Sequence, residues 1–475
     1  MIPNPTQFKR DVAREVHNTT QRKNLKHVTG LIRERRNAAF AAIEDGEGLR
    51  EIGKAIKQES LSRLPELLEQ LESNLTRKGI QVHWAETTDQ ANQIVLEICR
   101  RRGITQVIKG KSMVSEEMEL NPFLAGHGIE AIEADLGEFI VQLAEKPPSH
   151  IIAPAIHLNK EQIAELFEEK LGEPYTVNIE EMTAMARRVL RGKFQSAGMG
   201  VTGVNFAIAD TGTIALVENE GNGRMVTSVP PVHVALMGLE KVIAHIADLP
   251  PLIRLLCRSA TGQSISTYFN WISYPRRPEE KDGPEEVHLV ILDNGRSTIY
   301  ADAELRETLD CIRCGACLNI CPVYSRIGGY SYSSIYMGPI GKILTPQMAG
   351  LETAGHLTGA STLCGACVEV CPVKIPIPNL LLRLRQEANQ PTAAGKEIVK
   401  GAGSKRSSGE AMVWAGWKVL HSRPAAYLAL TRLAGLAGGL LPQRVGPLKQ
   451  WSKFRKPPRL AKRTLHQLLK ERPHS

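Results

Sequence analysis

Cysteine is scarce over most of this 475-residue chain: of nine cysteines, only Cys99 and Cys257 lie outside one short window. The start offers no secretory segment either, being polar from Asn4 to Arg14. A disulfide framework, which belongs to small secreted chains, is therefore not expected. Long apolar runs are also missing. The one membrane-like stretch, between Pro424 and Pro442, carries Arg432 near its middle and the pair Gly438-Gly439. A central arginine costs roughly 2.5–3.5 kcal/mol on insertion scales. The expectation is a helix held on a partner or lying at an interface.

Nucleotide-binding signals are lacking too. Gly110-Lys111-Ser112 follows an expected strand, but a Walker A loop needs glycine where Thr105 stands. Gly198-Met-Gly200-Val-Thr-Gly203 matches G-x-G-x-x-G, yet helix is expected before it and strand after it. That reverses the strand-to-helix turn which presents amides to a pyrophosphate. No ATP or NAD motif is credible, and the sequence leaves flavin open. His83, His127, His150, His157 and His233 lack metal-ligand spacing and read as structural. No recognised nucleic-acid motif is present.

With 42% hydrophobic and 23% charged residues, the composition is that of an ordinary globular protein. The net charge of +9 is unevenly placed. From Gly401 onward, 15 Lys and Arg face only Glu410 and Glu471, a net of +13, so the remainder is mildly acidic. This basic end, with Trp451, Lys453, Phe454, Arg455, Lys456 and Arg459, suits an acidic partner and would permit peripheral membrane contact.

What is present is a doubled cysteine pattern. Cys311, Cys314, Cys317 and Cys321 precede Pro322, giving C-x2-C-x2-C-x3-C-P. The second copy, Ser361, Cys364, Cys367, Cys371 and Pro372, keeps the spacing with serine in the first place. A thiolate at every third residue wraps three ligands around a cubic iron-sulfur cluster, and the fourth cysteine ligates the partner cluster. Zinc sites favour paired C-x2-C knuckles instead. Cross-ligation assigns Cys311, Cys314, Cys317 and Cys371 to cluster one, and Cys321, Cys364 and Cys367 to cluster two. Cluster two is one cysteine short. Its options are a [4Fe-4S] cube with an oxygen, solvent or partner ligand, a cube ligated by Ser361, or a [3Fe-4S] cluster. Cys99 and Cys257 sit in apolar helical runs and read as inert core.

Residues 1–78 read as helices, with Leu64, Leu67, Leu68, Leu71 and Leu75 forming a stripe. From 79 to 295, strands alternate with helices, which predicts an α/β domain with a largely parallel sheet. Expected strands are Ile80 to Ala85, Thr105 to Ile108 and His150 to Ile156; expected helices are Thr88 to Arg102, Glu116 to Phe123 and Lys160 to Leu171. Asp210-Thr211-Gly212 predicts a hairpin between Asn205 to Ala209 and Thr213 to Val217. Residues 300–385 hold the two-cluster region, whose 42 residues between Cys321 and Cys364 resemble the α-helical ferredoxin domains of fumarate reductase and succinate dehydrogenase subunits. Residues 386–410 read as a linker, and 411–475 as a basic helical tail. Lys111, Ser112, Asn205, Asn222 and Arg224 are candidates for holding a small organic acid, with turn structure as the plainer alternative.

Gly110-Lys-Ser-Met-Val-Ser-Glu-Glu, Asp135-Leu-Gly-Glu-Phe, Pro147-Pro-Ser-His-Ile, Thr202-Gly-Val-Asn-Phe, Glu220-Gly-Asn-Gly and Leu363-Cys-Gly-Ala-Cys-Val-Glu-Val-Cys-Pro occur in this order. Together they resemble the lactate utilization protein B family over nearly the whole chain, Ser361 included. The chief departure is Gly110. The resemblance implies a cytoplasmic iron-sulfur subunit that works with A and C partner proteins to oxidise L-lactate to pyruvate. It also implies that the α/β part is a LUD domain with the fold of sugar-phosphate isomerases and CoA transferases. A small-acid or acyl-binding enzyme or sensor, with structural or regulatory clusters, is the rival reading.

Overall fold

The computed structural model describes residues 3–389, 399–403, 407–437 and 463–470. Residues 1–404 form one compact unit and 405–475 a second.

Four helices open the first unit: Pro5–Glu15, Thr19–Ala41, Gly46–Ser62 and Leu64–Arg77. Asn4, Asn18 and Asp45 start the first three by accepting backbone N–H bonds at their N-termini. The leucine stripe of the fourth is buried against the core of the α/β region. Burial of each leucine is worth about 1.5–3 kcal/mol, so this helix is docked by its apolar face.

The main sheet is six-stranded and wholly parallel. Its strands are β1 (Gln81–Ala85), β2 (Gln106–Lys109), β3 (Glu130–Glu133), β4 (Met199–Gly203), β7 (Val232–Gly238) and β10 (Glu286–Leu292), in the order β1-β10-β7-β4-β2-β3. All seven residues of β7 are buried, as expected of a parallel strand covered on both faces. A second sheet has the order β8-β5-β6-β9, from β5 (Phe206–Ile208), β6 (Thr213–Glu218), β8 (Val242–Ile243) and β9 (Tyr268–Ile272). The expected hairpin is present as the antiparallel pair β5 and β6. In the main sheet, the chain leaves β2 toward β3 and leaves β4 toward β7, on opposite sides. The boundary between β2 and β4 is thus a topological switch point, where crevices form at the carboxyl ends of strands.

Two expected elements are corrected. His150 to Ile156 is a run of bends and turns, because Nδ1 of His150 accepts the N–H groups of Ile152 (3.0 Å) and Ala153 (3.1 Å) that a strand would need. The expected Glu116 to Phe123 helix is two, Met113–Glu117 and Leu120–Ala125, parted at Glu119 with φ 51°. Pro122 has no N–H for Met118 O, which accepts from Asn92 Nδ2 at 2.8 Å instead. All of the G-x-G-x-x-G segment after Gly198 lies in β4, where a Cβ on buried Gly200 would meet Val226 O at 2.0 Å. Its glycine serves close packing.

From Leu305 to Asn389 all regular structure is helical, ending in Gly338–Ala349 and Ile377–Asn389. The expected 386–410 linker is overtaken at its start by that last helix. Residues 399–403 are packed as well, with Val399 buried, Leu351 N–H donating to Lys400 O and Gly403 N–H to Glu387 O. The rest of that linker up to 406 lies outside the described residues, as do Gly438-Gly439 and the Trp451 to Arg459 cluster. The second unit contains helices Ser408–His421, Pro424–Ala437 and Leu465–Lys470. Among the described residues, no helix is long and apolar enough to cross a membrane.

Candidate iron-sulfur centres and the adjoining cavity

The two cysteine loops share one backbone design at a 50-residue offset. Arg313 (φ 60°) and Gly315 (φ 74°) in the first correspond to Leu363 (φ 53°) and Gly365 (φ 81°) in the second. These left-handed residues turn the chain so that successive side chains converge, and each loop ends in a short helix, Ala316–Ile320 or Ala366–Val370. The two short helices pack together, joining the loops. The N–H of Arg313 donates to Cys311 Sγ at 3.4 Å, and that of Leu363 donates to Ser361 Oγ at 3.2 Å. Ser361 therefore holds its oxygen where the first loop holds a sulfur.

Cys311, Cys314, Cys317 and Cys371 line one cavity, bounded by Ile151 and Ile340. Cys321, Cys364, Cys367 and Ser361 line another, with Lys342 in its wall. Each cavity draws on both loops. Cysteines drawn from two loops into each cavity, in C-x2-C-x2-C-x3-C-P spacing, suit polynuclear clusters better than a zinc site built on paired C-x2-C knuckles.

The electrostatics agree. Burial pushes the Cys314 thiol up to about 12, and Cys371 and Cys367 to about 11, with repulsion among the thiolates adding to it. Ionised thiolates so placed need a cationic centre. Protein cations supply part of the compensation. Arg36 and Arg50 lie close enough to attract the thiolates of Cys314 and Cys371, and Lys342 Nζ donates to Cys321 Sγ at 3.5 Å. The residues present fit two iron-sulfur clusters.

These supporting residues carried no sequence signal. Arg50 donates to Cys371 O at 2.8 Å and Val368 O at 3.0 Å, and Arg36 to Val370 O at 2.9 Å. The N-terminal helices thus hold the second loop from more than 300 residues away. Arg313 Nη2 donates to buried Glu240 at 3.0 Å, and Arg296 Nε to the same carboxylate at 2.8 Å. Although burial alone would raise it, these guanidinium groups pull the Glu240 carboxyl down to about 2.

A third cavity, of about 310 Å³, opens at the β2/β4 switch point. Lys111, Asn205 and Asn222 line it, together with Arg313 from the first cysteine loop. Ser112 and Arg224 do not. Ser112 is buried and accepts Ser115 N–H at 3.1 Å, capping a helix, while Arg224 is exposed. Glu220, exposed as a residue, sets its carboxyl in the cavity wall, where burial and Asp135 push it up to about 7.

Family models match as a LUD domain over residues 68–292, a 4Fe-4S dicluster domain over 307–375, and "Lactate utilisation protein B, C-terminal" over 383–474. The chain is 42% identical over 474 residues to "Lactate utilization protein B" of Bacillus pumilus, covering 98% of this chain and 97% of that protein. It is 40% identical over 455 residues to the protein of the same name in Bacillus licheniformis, covering 94% and 93%. A crystal structure of a duf162 family protein from Deinococcus radiodurans aligns with 48% of this chain and 98% of its own, at 12% identity and a TM-score of 0.28, too low to argue from. With such identity over nearly the full length of both proteins, and with the paired cysteine loops in place, this chain belongs to the lactate utilization protein B family.

Proposed function

We propose that this chain is the iron-sulfur electron-transfer subunit of a multi-protein system oxidising L-lactate to pyruvate. The observation that carries this is the pair of cysteine-lined cavities, each drawing on both loops, in a chain of this family. Cys311, Cys314, Cys317 and Cys371 would hold the first [4Fe-4S] cluster, and Cys321, Cys364 and Cys367 the second, with Ser361 Oγ as its fourth ligand. Each cluster, when bound, accepts or gives one electron at a time. The protein's part is to position and insulate. Burial of Cys314 and Cys371 keeps water from the first centre, whereas exposed Cys364 leaves the second within reach of a partner's surface. Lys342 and Arg313 place positive charge where negative charge accumulates on reduction.

On this reading the partners are the A and C proteins of the same system. The division that gives a LUD domain over 79–295 and a cluster domain over 300–385 belongs to it. So do the isomerase and CoA-transferase type of fold for the LUD domain and peripheral contact of the basic end with the inner face of the membrane. The test is anaerobic co-expression with both partners, iron analysis, and spectra before and after L-lactate. Bleaching of iron-sulfur absorption on addition of lactate is the expected result. An iron-loaded complex that turns lactate over while its clusters stay oxidised throughout would sink the proposal.

A further inference from the structure

Resting on the reading above, we infer that the cavity at the β2/β4 switch point is a binding site for a small 2-hydroxy or 2-oxo carboxylic acid, seated against the loop of the first cluster. Three observations on this chain carry it. The first is location. The cavity opens where connections leave adjacent parallel strands in opposite directions, the place where open α/β sheets form ligand crevices.

The second is the state of its charges. Three carboxylates and two cations line it, so an anionic ligand needs a reason to enter. The carboxylates are already engaged. Glu218 accepts the N–H groups of Gly223 and Arg224, both at 2.6 Å, Asp135 accepts Glu138 N–H at 3.1 Å, and Glu220 accepts Leu136 N–H at 3.1 Å. The cations retain donors. Lys111 Nζ makes one hydrogen bond, to Ile152 O at 2.6 Å, out of the three it can donate. Arg313 is 8% exposed, and its Nη1 is buried with no hydrogen-bond partner. An ammonium with spare donors and a partly unpaired guanidinium lining the same cavity suit a carboxylate. The oxygen on the neighbouring carbon would then meet polar groups such as Asn205 and Glu220.

The third is the shared wall. Arg313 lines both this cavity and that of Cys311, Cys314, Cys317 and Cys371. Consecutive Ile151 and Ile152 also divide between them, Ile151 facing the cysteines and Ile152 the larger cavity. A ligand here would lie one side chain from the first centre and away from exposed Cys364.

The test uses the anaerobically purified full chain without partners, in equilibrium dialysis against L-lactate and pyruvate, with propanoate as the analogue lacking the second oxygen. Binding of lactate or pyruvate is expected, with propanoate weaker. Lys111→Met should weaken binding about thirtyfold or more, as for loss of one partner in a buried charge pair. Bound acid should also shift the electron paramagnetic resonance signal of the four-cysteine cluster and leave the other unchanged. Arg313→Gln is the second variant. Should it disturb the cluster, Lys111→Met still decides, because Lys111 lies outside the cysteine loops. No saturable binding at about 10 mM, well above ordinary substrate affinities, or equal binding by the Lys111 variant, overturns the site. Clusters that lactate still reduces when partners are added would, in that event, leave the electron-transfer reading standing. Tight binding without any such reduction would remove that reading and keep the site.

Discussion

Ser361 is the residue on which the two halves of the cluster region differ. Its Oγ accepts the Leu363 N–H just as Cys311 Sγ accepts that of Arg313, so backbone geometry delivers an oxygen to a ligand position. Ser361→Cys should give a second cluster with an all-thiolate signal and higher retention of iron, and Ser361→Ala should lose one iron per chain from that centre alone. Mössbauer spectra and iron counts unchanged in both variants would show that the oxygen is not a ligand. Buried His233 is a different case. Burial pushes its imidazole down to about 3, and its Nε2 pairs with Thr202 Oγ1 at 2.8 Å. A folded pKa below the unfolded one means that stability is fully present above about 6.5 and falls as pH drops, by up to about 1.4 kcal/mol per pH unit. Thermal melting of His233→Gln should therefore depend less steeply on pH between 6.5 and 5 than that of the unsubstituted protein. Parallel curves would mean that His233 does not titrate as described.

The helices of the first 78 residues look from their pattern like a docking layer, and the leucine stripe is one. Their second task was not legible. Arg36 and Arg50 grip carbonyl groups of the second cysteine loop, and nothing in local spacing announces a contact spanning more than 300 residues. Arg50→Ala should cost about 1–3 kcal/mol by leaving the part-buried carbonyls of Val368 and Cys371 unpaired, read as a lower urea midpoint and faster loss of the four-cysteine cluster that Cys371 serves. Unchanged unfolding would make the contact incidental. Legibility elsewhere follows the same division between local and distant causes. The hairpin at Asp210-Thr211-Gly212 and the Thr88–Arg101 helix come from nearby turn and cap chemistry, and sequence pattern sufficed. The segment from His150 to Ile156 is apolar enough for a strand, but one imidazole takes its backbone donors. Gly198 and the two glycines of β4, Gly200 and Gly203, mimic a nucleotide loop until the close approach of Val226 to Gly200 is seen.

At the scale of the whole molecule, the N-terminal helices, the sheet and the cysteine loops form one unit in which the first cysteine cavity abuts the sheet-edge cavity and the second reaches the surface at Cys364. The cysteines were visible in sequence because a thiolate at every third residue is a local repeat. Arg313 was not, since its importance arises only where a loop from the cluster region meets the carboxyl edge of a distant sheet. The account depends on cross-ligation, in which Cys371 of the second loop serves the cavity of the first. The most direct measurement is electron paramagnetic resonance of the reduced Cys371→Ala protein together with its iron content. Loss or conversion of the four-cysteine cluster with the Cys321, Cys364 and Cys367 centre intact is the predicted result; loss of the latter centre with the former intact would contradict it.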